Sequence, residues 1–442
     1  MKFLWLRKNL KPLVFVALGL QAFVTLQASA QQFNTINSPL LAGRNQTEAL
    51  KIHDNIYQAT GFGNTFMVTT SEGNVIIDTS LVVNAQRHKQ LLQAVDDGPV
   101  RYIILTHAHG DHTGGVNLWR EEDTEIIAQE EHYEFVNYQS RLSGLFGERN
   151  AAQFPQLARG RSSSPSQIAD SVDNYGATIQ PTIMFDNEYR FELGGIEFIV
   201  MHTPGETYDH LAVWIPEFEA VFVGDNYYSS FPNMYTLRGT KPRWALDYVS
   251  SINAILELEP EIMIPSHGEP VIGFNAIEVA ASRYRDAILY VHDQTVLGMN
   301  QGKDVYTLMQ EIKLPTDLDI GEGYGTIAWS VRGIYENYVG WFDGNPSTMF
   351  SIPPSEVYPD LVALAGGADS VSELAQTYLD QESFELALHA ADIALKSEAG
   401  NEPALRIRLA ALQALLARTT NTNEAGWLQF GIRQTEAALE EQ

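Results

Sequence analysis

Ile103-Ile104-Leu105-Thr106-His107-Ala108-His109-Gly110-Asp111-His112-Thr113-Gly114-Gly115 places three histidines and one aspartate within six consecutive residues, directly after a β-branched, apolar run. Tyr102 to Thr106 has the length and composition of a buried strand, and the glycines beyond it suit a tight turn. Such a turn points His107 and His109 to one side, while Asp111 and His112 swing to another. Neutral imidazoles and a carboxylate are the ligands that zinc, iron or manganese prefer. Two metals can share this turn if each draws further ligands from other strand ends. The alternative is a polar turn with incidental histidines, but with 11 histidines in 442 residues this spacing seldom arises by chance.

Three other strand ends offer such ligands. Glu206 lies in His202-Thr203-Pro204-Gly205-Glu206-Thr207, Asp225 in Val223-Gly224-Asp225-Asn226, and His267 in Ile264-Pro265-Ser266-His267-Gly268. A small residue beside each lets its turn close against a metal. Strands are expected at Asn55 to Thr60, Thr65 to Thr70 and Asn74 to Asp78, broken by Gly61, Gly63 and Gly73, and a helix at Ala85 to Val95. Further strands are expected at Arg190 to Val200, Ala212 to Ile215, Ala220 to Val223 and Ile262 to Pro265, with helices at Trp244 to Leu258 and Ala276 to Gly298. This alternation predicts an α/β layered fold. Residues 129–185 show little periodicity and carry a Ser/Arg/Gly-rich stretch, Arg159 to Ser166. A long irregular segment of that kind is a lid, an oligomer contact or disordered chain.

A Pro-rich hinge, Ile352-Pro353-Pro354-Ser355, and then Gly366-Gly367 mark a change of character. Ser370 to Tyr378, Ser383 to Lys396, Pro403 to Arg418 and Glu424 to Leu439 all place apolar residues at helical spacing, with Ser383 and Asn401 as expected N-caps and Pro403 in a first turn. This alanine-rich end has no clustered titratable groups, so its expected job is packing or oligomerisation. At the other end, Lys2, Arg7, Lys8 and Lys11 precede an apolar run from Leu13 to Leu26 and then Ala28-Ser29-Ala30. That order is a secretory leader ending in a cleavage pattern, and the run is shorter than the ~20 residues that span a bilayer. The expected divisions are a signal peptide over 1–30, a hydrolase domain over 31–352 and a helical domain over 353–442. A periplasmic or secreted location without a stable membrane anchor follows.

Acidic residues number 55 against 28 basic ones, a formal net charge of −27. So acidic a surface repels phosphate backbones and anionic lipids, which disfavours nucleic acid and membrane partners. An anionic substrate then needs a local positive site. There is no cysteine, which excludes disulfides, iron–sulfur clusters, zinc fingers and a thiol nucleophile.

Taken together, these motifs resemble the metallo-β-lactamase superfamily, whose fold is a four-layer αββα sandwich. The resemblance implies that His107, His109, Asp111 and His112 are its first signature, Glu206 its third-motif ligand, Asp225 a metal-bridging carboxylate and His267 the final histidine. Asp78, in Val75-Ile76-Ile77-Asp78-Thr79, matches the aspartate that orients a ligand histidine. Most members carry histidine after Thr-Pro-Gly, where this chain has Glu206. That glutamate is similar to the alkylsulfatase branch, as are Tyr235-Thr236-Leu237-Arg238-Gly239, Tyr290-Val291-His292-Asp293-Gln294-Thr295 and Gly340-Trp341-Phe342-Asp343-Gly344-Asn345-Pro346. The helical end is similar to that branch's dimerisation domain, which implies a homodimer. Members usually continue into a sterol-carrier-like domain, and this chain ends before one. Trp329 stands where the sulfatases place a sulfate-contacting histidine, and Leu145 replaces an asparagine of the sulfate pocket.

The resemblance implies a hydrolase with two zinc ions, one on His107, His109 and Glu206 and one on Asp111, His112 and His267. Asp225 would touch both, and a metal-bound hydroxide would attack an alkyl sulfate ester. Asp111 and Arg238 are the expected catalytic residues, although Arg238 reads equally well as a structural ion-pair partner. Lys241 and Arg243 read as surface charges. His210 is a supporting or substrate group. Tyr227, Tyr228, Phe231, Tyr235, Trp329 and Trp341 are channel candidates for an apolar chain. Trp329 and Leu145 favour a second reading, a carboxyl-ester, lactone or β-lactam hydrolase on the same metals. A third is an inert periplasmic scaffold. Because histidine ligands must be deprotonated to bind, activity should vanish below about pH 5–6, near the unperturbed histidine pKa. A pH–rate profile that stays flat to about pH 4 would contradict this.

Overall fold

The computed structural model describes residues 41–155 and 179–441. The leader and the Arg159 to Ser166 stretch lie outside the described residues. The described strands form two sheets. The first runs in order through β1 (Leu50–Lys51), β2 (Ile56–Ala59), β3 (Thr65–Thr70), β4 (Gly73–Ile77), β5 (Val100–Ile104), β6 (Glu125–Gln129) and β7 (Ile183–Phe185). Pairing is antiparallel as far as β4 and parallel from β4 to β7. The second contains β8 (Glu188–Leu193), β9 (Ile196–His202), β10 (Leu211–Ile215), β11 (Ala220–Gly224), β12 (Ile262–Pro265) and β13 (Val271–Ile272), antiparallel except for β11 on β12.

Why the sheets stack is visible in single strands. Successive side chains of a strand face opposite ways, and these strands are apolar on both faces. Phe66, Val68, Val75, Ile77, Ile104 and Ile127 meet Phe198, Val200, Leu211, Val213, Phe222 and Ile264 between the sheets. Their neighbours Met67, Ile76, Ile103 and Ile126 turn outward onto Leu91, Leu92, Val116 and Trp119. On the other side Ala212, Val221, Val223 and Met263 face helices Ala245–Leu256, Phe274–Asn300 and Ile327–Val339. A strand with two apolar faces must be covered twice, and the result is the expected αββα order of layers.

Local differences from the sequence expectation have physical causes. Arg190 to Val200 is a hairpin, not one strand, because Gly194 and Gly195 adopt φ of +58° and +83°, the turn that joins twisted antiparallel strands most easily. Within the segment expected to be irregular, His132–Arg141 and Ser143–Gln153 are helices. Helices Val305–Glu311 and Ile327–Val339 extend the outer layer.

Beyond residue 357, helices Tyr358–Leu364, Ala368–Asp380, Phe384–Ser397, Glu402–Arg418 and Thr422–Glu440 follow one another. Ala375, Ala387, Ala390, Ala391 and Ala411 fill their crossings, and such small side chains let helix axes approach closely. Asn401 caps through Ala404 N–H, whereas Ser383 occupies its cap position without a side-chain bond.

His88, wholly buried on helix Val82–Gln93, braces the turn that follows β2. Its Nε2 donates to the Thr60 carbonyl at 3.1 Å and its Nδ1 accepts from Thr65 Oγ1 at 3.0 Å. Burial and the neighbouring Arg87 lower its pKa from 6.5 to about 3. The unfolded chain therefore takes up this proton first, so the stability it guards is full above about 6.5 and is lost progressively as pH falls toward about 3. Thermal unfolding of His88→Gln should show a shallower decline than the parent across that window, by up to ~1.4 kcal/mol per pH unit. Equal slopes would remove His88 as the cause.

Candidate metal centre

The site is assembled on strand ends. Asp78 follows β4 with φ +54°, which turns its carboxylate inward. One oxygen, Oδ1, accepts from Thr106 N–H at 2.9 Å, and the Thr106 hydroxyl donates to the same carboxylate. Oδ2 accepts from His112 Nδ1 at 2.7 Å and from Ser266 Oγ at 2.8 Å. His112 is thereby fixed as the Nδ1–H tautomer, and its Nε2 is left for other work.

That Nε2 is buried without a hydrogen-bond partner among the described residues. It lies 3.5 Å from Asp111 Oδ2 and 3.3 Å from Asp225 Oδ2, and His267 Nε2 is 3.3 Å from each of the same oxygens. On the other side His107 Nε2 and His109 Nδ1 are 2.8 Å apart, with Asp225 Oδ2 3.8 Å from the former. Two donor groups result: Asp111, His112, Asp225 and His267, and His107, His109 and Asp225. Within each, one donor atom per residue lies within 4.8 Å of the rest. Asp225 belongs to both. Glu206 stands just outside the second group, its Oε1 3.7 Å from His109 Nδ1.

The electrostatics suit cations. Burial holds His107 and His109 well below the usual imidazole range, helped by His112 for the first and Arg238 for the second. Both are neutral, with a lone pair to give. Burial works against charge at His112 and His267 too, but Asp225 and its fellow carboxylates outweigh it, lifting His112 well up and His267 to about 10. Half-buried Asp111 and buried Asp225 are held well below the carboxylate range by His112 and His267, which outweigh the desolvation that would raise them. A field that favours protons on two imidazoles equally favours a divalent ion. With the orphaned His112 Nε2 and Asp225 Oδ1, the donor set fits one metal in each group.

Two supports were only partly legible. His210 lies behind the donors, as expected for a supporting group. Its Nδ1 donates to the Thr203 carbonyl and its Nε2 accepts from Asp225 N–H, both at 3.0 Å. Burial lowers it to about 4, so it stays neutral. Arg243 corrects the sequence reading: it is buried, not a surface charge, with Nη1 at 2.6 Å from Glu206 Oε2. Tyr248 OH donates to the same oxygen at 2.8 Å. Lys241 is partly exposed and bridges Glu134 and Tyr208.

Arg238 extends toward the donors, with Nη2 3.5 Å from His109 Nε2. Among the described residues no carboxylate pairs with it, so the structural ion-pair reading finds no partner. A cavity of about 360 Å³ opens beside His267, walled chiefly by Leu50, Phe62, Phe154, Tyr228 and Tyr324. Of the expected channel residues only Tyr228 lines it. Tyr227 and Phe231 are buried in the outer-layer core. Tyr235 stacks on Gly333, with Cβ 3.2 Å from where a side chain there would begin. Trp329 is half-buried on its helix. Trp341 is 74% exposed because Gly340, at φ +74°, ends that helix and turns the chain outward. Leu145 is exposed on helix Ser143–Gln153. None of these four lines the cavity. Phe62, Phe154 and Tyr324 escaped the sequence reading because each sits at a turn or helix end with no periodic signal.

Gly224, the last residue of β11 and next to Asp225, has φ +53°, and a Cβ there would lie 2.2 Å from His210 Nε2. Gly224→Ala should destabilise by about 2 kcal/mol or more and lower the metal content of purified protein. Unchanged metal content at an unchanged thermal midpoint would contradict the close approach.

Comparison with known proteins agrees with this geometry. Residues 59–267 match the family described as the metallo-beta-lactamase superfamily, and residues 306–436 match the alkyl sulfatase dimerisation family. The chain is 30% identical over 392 residues to a linear primary-alkylsulfatase of Pseudomonas sp. (strain ATCC 19151), covering 85% of this chain and 74% of that protein. It is 30% identical over 387 residues to the alkyl/aryl-sulfatase BDS1 of Saccharomyces cerevisiae, covering 80% of this chain and 58% of the yeast protein. The stereoselective inverting sec-alkylsulfatase Pisa1 from Pseudomonas sp. shares the fold, with a TM-score of 0.79 at 21% identity over 89% of this chain and 66% of that one. Donor groups, layered fold and relatives converge: the chain belongs to the alkylsulfatase family within the metallo-β-lactamase superfamily.

Proposed function

We propose that this protein hydrolyses sulfate esters of apolar alcohols at a centre of two divalent ions, zinc by the chemistry of the donors. The carrying observation is the placing of Arg238 against the donor cluster with an apolar cavity alongside, which suits one anionic head and one apolar chain. His107, His109 and Glu206 would hold one ion, Asp111, His112 and His267 the other, and Asp225 both. Such ions polarise an ester and make a water acidic near neutral pH. Tyr228 OH donates to Asp225 Oδ2 at 2.8 Å and so orients that carboxylate. Arg238 offers paired N–H groups to sulfate oxygens. Phe62, Phe154 and Tyr324 keep water from the chain. Water adds, the S–O or the C–O bond breaks, and either route yields alcohol and hydrogen sulfate.

The leader read at 1–30 supports action in the periplasm or outside the cell. Among the described residues no helix is long and apolar enough to cross a membrane. Trp341, Phe342, Met349, Phe350, Ile352 and Leu364 are all exposed within one stretch of chain. An apolar run of that density calls for a cover, and a second copy supplies it, in keeping with the dimerisation family matched there.

The test is a hydrolysis assay on metal-loaded protein with dodecyl sulfate, a secondary alkyl sulfate, a long-chain acyl ester, a lactone and a chromogenic β-lactam, with Asp111→Ala as control. Sulfate release that disappears in the control is expected. Turnover confined to the ester, lactone or lactam would overturn the proposal.

A further inference from the structure

We infer that Gln153 is a positioning residue for Arg238, through which the C-terminal helices hold the anion-binding side of the site in place. This rests on the role proposed for Arg238 above. Gln153 is the buried last residue of helix Ser143–Gln153. Its amide oxygen accepts from Arg238 N–H at 2.9 Å and from Trp427 Nε1 at 3.3 Å. Its amide nitrogen donates to Asn423 Oδ1 at 2.8 Å. Asn423, itself fully buried, donates onward from Nδ2 to the Tyr324 carbonyl at 2.9 Å. Asn421 donates to the same carbonyl at 3.0 Å while capping helix Thr422–Glu440. One helix start therefore fixes both Arg238 and Tyr324, the anion side and the chain side of the site.

The contact is tight as well as polar. A Cβ on Gly426 would lie 1.9 Å from the Gln153 carbonyl oxygen, so the helix sits directly on the backbone that carries this amide. Arg238 has little else to hold it: among the described residues its buried Nε has no partner, and no carboxylate pairs with it. The clamp on its backbone N–H then decides where the guanidinium starts. A buried amide with donor and acceptor both engaged has one favoured pose, because leaving either unmade is costly. That makes it a suitable rigid support for a group whose placing matters to within an ångström.

A side chain that merely glues two regions together would change stability and nothing else. The measurement uses the full metal-loaded chain with dodecyl sulfate as substrate and inorganic sulfate as competing ligand. Arg238→Ala serves as the reference for loss of the anion site, with thermal midpoint and zinc content followed throughout. Gln153→Met, similar in shape but without hydrogen-bonding groups, should raise KM and the sulfate inhibition constant together by about tenfold. Its kcat should change little and its zinc content not at all. Gln153→Glu keeps an oxygen for Arg238 N–H but sets its other oxygen against Asn423 Oδ1, so it should lower the thermal midpoint while raising KM and the sulfate constant less than Gln153→Met does. A lower thermal midpoint in Gln153→Met with KM and sulfate inhibition unmoved would overturn the inference while leaving the proposed function intact. If Arg238→Ala itself changes neither constant, the anion role fails and this inference with it. Should Gln153→Met not fold, Asn423→Ser one bond further out carries the same expectation at smaller size, and unmoved constants there count equally against it.

Discussion

A wholly buried carboxylate is tolerated only when its oxygens are satisfied, and Asp78 meets that demand by gathering chain segments that are far apart in sequence. It binds the backbone and hydroxyl of Thr106, the ring of His112 and the hydroxyl of Ser266. Thr106 and Ser266 follow β5 and β12, and His112 lies in the turn after β5, so one side chain ties the two sheets together at the rim where the donors converge. Remove it and His112 loses its tautomer, while the turns bearing His107 and His267 lose their common anchor. The mutual placing of the donors depends on this carboxylate, although it is not itself one of them.

The layered fold was legible because its strands state their faces: a short, β-branched apolar run with turn residues at both ends reads as a doubly covered strand. The donors were legible because four of them crowd one turn and the rest follow short strands of the same kind. What escaped is whatever folding brings together from unpatterned places. Arg243 reads as a charge near a loop, and only the burial of the neighbouring Tyr248 in the core beneath the second sheet, with Trp244 against Tyr338, carries it inward to Glu206. The cavity is built from Phe62, Phe154 and Tyr324, three positions with no shared period. Trp341, by contrast, lay in a motif resembling the family yet points to solvent, since a motif marks a position and not a direction.

The two donor groups are not equivalent. One is surrounded by Asp78, Asp111 and Asp225, which concentrate negative charge around His112 and His267. The other has Arg238 and Arg243 close behind His109. Glu206 brings a negative charge where a neutral imidazole is the commoner ligand, and Arg243 sits against its far oxygen to balance it. Burial still pushes Glu206 upward despite that partner. A buried charged donor is usable here because a second buried charge, Arg243, pairs with it.

The exposed apolar run from Trp341 to Leu364 has a consequence for the conditions in which such a protein can work. If the substrate is an alkyl sulfate, it is also a surfactant. Any apolar surface the protein leaves open is then a competing host for the molecule it is meant to destroy. Covering that run within an assembly removes the competitor and leaves the cavity beside His267 as the preferred shelter for a chain. Subunit association would in that case protect the protein from its own substrate. The tolerance of the assembly to detergent, more than the capacity of the chemical centre, would set the highest concentration at which turnover continues.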